Sequence, residues 1–171
     1  MSPNPLHQFI QLFTLNNTDA TERVSERLAL VLRDPEAYQA QFAEELEERG
    51  IEEVLPAQEL RDIALIDALL SEDLAWESAW EESAEDIASG LNEILKQQNR
   101  SHALKPKTLV SRRDAGPEQL DTVQDVLELL GLALVLFTLD SDSYPLGVVA
   151  DAQVEEARRL AAELGFTLTV Y

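Results

Sequence analysis

The sequence predicts an α+β fold: a helix-rich N-terminal two-thirds packed with a small C-terminal α-β-β-α-β sheet unit. Three observations carry that expectation. Apolar residues recur at helical spacing from Leu6 to Leu95, with prolines and polar caps at the starts. From Leu132 the pattern becomes a continuous apolar run and then, at the end of the chain, a strict alternation. Between these parts lies a stretch with little periodicity and many bases. A single domain over residues 1–171 follows, with a helical part over about 5–98, a basic linker over about 99–115 and an α/β part over about 116–171.

The elements read in order. Leu6, Phe9, Ile10 and Phe13 mark a first helix after Pro3 and Pro5. Asp19 with Glu22 three residues on suggests a capping box for a second, bearing Val24, Leu28, Val31 and Leu32. Asp34-Pro35 reads as an N-cap with proline at the first helical position, and Tyr38, Phe42 and Leu46 line the helix that follows. Gly50 is its expected left-handed stop. Pro56 opens a helix with Leu60, Ile63, Ile66 and Leu70. A long helix is then expected to carry Trp76, Trp80, Ala84, Ile87, Leu91 and Leu95 on one stripe. Thr108-Leu109-Val110 is short and apolar enough for a fourth strand.

Leu120, Val123, Leu127 and Leu130 form a helix closed by Gly131. Leu132 to Leu139, almost wholly apolar, predicts a strand covered on both faces. Asp140 to Ser143 is a turn, and Tyr144 to Val149 returns as a strand. Pro145 lacks a donor, which places that strand at a sheet edge. Asp151 caps a last helix ended by Gly165, and Phe166, Leu168 and Val170 alternate with polar residues in a final strand. The first strand is expected between the other two, which run parallel to each other through a right-handed crossover.

Charge narrows the function classes. The formal net charge is −20, and residues 36–90 hold seventeen acids against two arginines, Arg49 and Arg61. Residues 96–113 then carry six bases and no acid: Lys96, Arg100, Lys105, Lys107, Arg112 and Arg113. Such a balance disfavours DNA, RNA and anionic membranes as partners. With no phosphate-gripping glycine turn beside it, the basic stretch reads as a strap against acidic helices near Glu77, Glu81 or Glu85. Zero Cys excludes a disulfide scaffold and suits a reducing compartment. The start shows no signal-peptide pattern and no apolar run is long enough to span a bilayer, so a cytoplasmic location is expected.

Candidate constellations are few. Asp140-Ser141-Asp142 after an apolar strand has the spacing of an aspartyl phosphatase nucleophile or of a metal-holding glycosyltransferase pair. Neither fold fits in the residues that remain. As a calcium loop it would put Pro145 where glycine is needed and lacks the bidentate Glu. Asp and Ser tightening a hairpin is the simpler account. Trp76 and Trp80 are either core or an interface anchor. His7 and His102 have no companions at ligand or triad spacing. No catalytic residue, metal site or cofactor is assigned.

Three segments resemble an uncharacterised bacterial domain-of-unknown-function family. They are Asp34-Pro35-Glu36-Ala37-Tyr38 running to Glu47-Glu48-Arg49-Gly50-Ile51, Ala64-Leu65-Ile66-Asp67-Ala68-Leu69, and Asp140-Ser141-Asp142-Ser143-Tyr144-Pro145-Leu146. The resemblance implies a folded bacterial protein and brings no activity, cofactor or catalytic residue. The leading expectation is therefore a non-catalytic acidic interaction protein, of inhibitor or immunity type, meeting a basic protein partner. Its candidate partner-binding residues are Trp76, Glu77, Trp80, Glu81, Asp140, Asp142 and Tyr144. A metal-dependent hydrolase or nucleotide-handling enzyme built on Asp140 and Asp142 is the alternative. A homodimer joined through the Pro145 strand or the Trp76 helix is a third reading.

Overall fold

In the computed structural model, residues 5–15, 17–79, 84–98, 117–137 and 143–170 are described. Helices α1 (Pro5–Thr14), α2 (Thr18–Arg33), α3 (Pro35–Gln41), α4 (Ala43–Glu48) and α5 (Ala57–Ser71) come first. Strand β1 (Trp76–Ala79) and helices α6 (Ala84–Gln97) and α7 (Pro117–Leu129) follow. Strands β2 (Leu132–Phe137) and β3 (Ser143–Ala150), helix α8 (Val154–Leu164) and strand β4 (Leu168–Val170) complete the order. The chain is α+β, with a helical N-terminal part and a four-stranded antiparallel sheet in the order β1-β3-β2-β4.

Strand β2 lies between β3 and β4 and is antiparallel to both, so those two run parallel, as a crossover through α8 requires. The pleat of β2 divides two cores. Ala133, Val135 and Phe137 join Phe9, Phe13, Leu28, Leu65 and Leu160 on one side. Leu132 and Leu134 join Ile87, Leu91, Leu120 and Leu127 on the other. Covering both faces with helices is why this strand could be apolar throughout. Buried Gln98 ends α6 and donates to Phe13 O at 2.9 Å and Val148 O at 3.0 Å, tying α1 to β3.

Three expectations are corrected. Trp76 is not on the long helix: residues 76–79 form an edge strand, and α6 begins only at Ala84. The helical spacing of Trp76 with Ile87 and Leu91 was coincidental, because its ring meets α6 from the sheet. Among the described residues β1 is a fourth strand of the sheet; the short strand expected at Thr108 to Val110 lies outside them. Pro145 does not mark an edge strand, since β3 has β1 on one side and β2 on the other. Among the described residues the pairing with β2 runs as far as Leu146, and Pro145 lies opposite Glu77 of β1. Finally, α2 is capped by Asn17, whose side chain accepts from Ala20 N at 3.1 Å, and not by Asp19.

Other local signals act as read. Asp34 accepts from Ala37 N with Pro35 in the first turn, although the helix it starts breaks at Phe42 into α3 and α4. Gly50 and Gly165 have φ of +82° and +84°, the left-handed conformation that ends a helix without a Cβ penalty. The Gly165 carbonyl accepts from Arg61 Nε at 3.1 Å.

Asp62 locks α5 to the last strand. It is 6% exposed and accepts from Thr167 N at 2.8 Å and from Gln58. Burial raises its pKa, only partly opposed by those hydrogen bonds. A carboxylate with a raised folded pKa contributes stability fully below its unfolded pKa, and that contribution is lost as pH rises through the folded value. Asp62→Asn should therefore gain on the parent as pH goes from about 4 to about 7. Thermal melts of both proteins at the two pH values test this; a constant difference would contradict it.

Candidate interaction site

Arg49 is the C-cap of α4, followed by the left-handed Gly50, and its guanidinium reaches α5 and β1. Its Nε donates to Asp67 Oδ1 at 2.8 Å and its Nη1 to Glu77 Oε1 at 2.8 Å. One side chain thus joins α4, α5 and β1. Burial works against the Arg49 charge, but the hydrogen bonds to Asp67 and Glu77 outweigh it and hold the guanidinium above its ordinary pKa. Burial raises the pKa of Asp67, opposed by Arg49. Asp67 Oδ2 is buried without a hydrogen-bond partner.

A second arginine mirrors the first. Arg27 of α2 donates from Nε to Tyr38 Oη at 3.0 Å, pairs with Glu45, and stacks 4.1 Å from the Phe42 ring centre. Burial pushes the fully buried Tyr38 hydroxyl up to about 12. Between α4, α5 and β1 is a cavity of about 330 Å³ lined by Glu45, Glu48, Arg49, Asp67 and Glu77 among others. Among the described residues, no group of His, Cys, Asp or Glu is arranged to hold a metal ion.

Outside this network is an acidic surface. Glu36, Glu44, Glu47, Glu48, Glu52 and Glu53 are exposed along α3, α4 and the connection to α5. That connection is pinned by Gln39, which donates to Glu53 O at 2.7 Å and accepts from Leu55 N at 3.3 Å. It presents Val54 at 82% exposure among the acids. Both arginines of the acidic stretch are committed elsewhere: Arg49 to Asp67 and Glu77, Arg61 to Gly165 O and Gln58. Those six carboxylates therefore face solvent with no described cation paired to them.

Of the residues singled out in the sequence, Trp76, Glu77, Tyr144 and His7 are among those described. Trp76 packs on α6 from β1, and Tyr144 on β3 lies on the same face of the sheet, facing the second core. Glu77 points to the opposite face, and the cation beside it is Arg49. His7 is half-buried on α1. Trp80, Glu81, Asp140, Asp142, His102 and bases 100–113 lie outside the described residues, as does any strap they form. Sequence reasoning missed Arg49, Asp67, Arg27 and Tyr38 as a unit. The available signal was that a stretch with seventeen acids keeps only two arginines, so each has abundant partners.

The fold brings together the segments quoted above: Arg49 comes from the first, Asp67 from the second, and Glu77 stands opposite Pro145 of the third. A family model described as a domain of unknown function (DUF6630) matches residues 6–171. No curated protein and no solved structure matches the chain. No helix among the described residues is long and apolar enough to cross a membrane.

Proposed function

We propose, for a chain that belongs to the DUF6630 family and takes no activity from it, that this is a non-catalytic interaction protein. Its α3–α4 face and the Val54 connection meet a basic protein partner. The observation that carries the reading is the inward commitment of both local arginines, which leaves six exposed carboxylates around an exposed valine. Like charges concentrated in one stretch repel one another, and a basic surface relieves that repulsion on contact. Such a field speeds encounter and is screened by salt. The Gln39 bridge adds pre-organisation, because a pinned connection loses little entropy on binding.

The test is capture from a lysate of the source cell, at low and high salt, on the parent and two charge variants. One carries Glu47→Lys, Glu52→Lys and Glu53→Lys on the proposed face. The other carries Glu155→Lys, Glu156→Lys and Glu163→Lys on α8, with the same change in net charge. The expected result is a basic protein retained by the parent and the α8 variant at low salt, and lost about tenfold or more from the face variant. Both variants should fold, since the ion pairs lost on α8 are surface pairs of small individual effect. Equal retention by all three proteins, or none by any, removes the proposal.

A further inference from the structure

We propose that β1 is a releasable edge strand, held on the sheet by the Arg49 clamp, and that its departure opens the edge of β3 from Ser143 to Leu146. The inference stands on β1 and its fastenings and does not require the basic partner proposed above.

Everything about β1 itself is weak. It has four residues and, among the described residues, pairs with β3 alone. The pair Glu77–Pro145 sits in the middle of its register, and Pro145 has no amide hydrogen to give. The strand is entered through Asp73, a non-glycine residue at φ +58° in the left-handed region. Docking buries Trp76 Nε1 without a hydrogen-bond partner. Short edge strands with incomplete ladders are where sheets open first.

Two fastenings offset this weakness. The Trp76 ring lies so close on α6 that a Cβ at Gly90 would come within 2.2 Å of it. On the opposite face, Arg49 holds Glu77 at 2.8 Å while its other donors stay on Asp67 of α5. The clamp is therefore asymmetric. Asp67 and Arg49 have 12% and 17% of their side-chain surface exposed and remain a pair without β1, whereas Glu77 is 31% exposed and open to solvent cations. Losing the Glu77 arm leaves the Trp76 contact as the remaining fastening and keeps the Arg49–Asp67 pair in place. An edge with a partly exposed ion pair as one of its two fastenings is loosened by salt or by a competing cation.

Amide hydrogen exchange of the full chain tests this. In Glu77→Gln, amides of residues 76–79 should exchange about tenfold faster than in the parent, with β2 and α5 unchanged. Raising salt should speed exchange of the same amides in the parent and have little further effect in Glu77→Gln. The proposal is overturned if β1 is as protected as β2 at every salt. It is equally overturned if Glu77→Gln speeds exchange throughout the sheet, or leaves β1 unaffected.

Discussion

Replacing Arg49 with methionine is expected to lower stability by about 3 kcal/mol, and the melting temperature by about 10 °C for a chain of this size. Methionine fills similar volume, so the loss isolates charge. Asp67 is left in a buried position with neither oxygen paired, and Glu77 loses its hold from the helical layer. Uncompensated burial of a carboxylate costs more than the intact pair contributes. The value is set at the low end for buried pairs because Glu77 remains partly solvated. Combining Arg49→Met with Asp67→Leu should recover most of the loss, since removing both charges removes the stranded one. Urea unfolding of the single and double variants decides the matter. Additive losses would show that Arg49 and Asp67 act independently.

Phe13→Ala should cost about 3–5 kcal/mol. Phe13 has no exposed surface, meets Phe9 edge-on at 5.3 Å and lies 5.7 Å from Phe137, so it fills the space between α1 and the sheet. The strand below it cannot fill the gap. Gly147 faces the same rings, and a Cβ there would already come within 2.8 Å of Phe137. The void should therefore persist. Phe13→Leu should retain most of the stability, because it keeps much of the volume. A loss under about 1 kcal/mol for Phe13→Ala, with an unchanged denaturant slope, would mean that α1 repacks freely.

How much of this was legible in the chain follows from the range of each interaction. Asp34-Pro35, Gly50, Gly131, Gly165 and the unbroken apolar run of β2 act within a few residues, and the sequence alone determined them. The order of β2, β3 and β4 was also legible, because crossover handedness leaves few arrangements for strands so connected. Tertiary structure alone decided β1. Trp76 shares its helical spacing with Ile87 and Leu91, and only pairing with residues some seventy positions on makes it a strand. The same holds for Pro145, because nothing near it in sequence shows that β3 lies between β1 and β2. It holds most for Arg49, Asp67 and Glu77. Periodicity sees apolar faces, while a partner for one of two arginines among seventeen acids is chosen by which carboxylates the fold buries beside it.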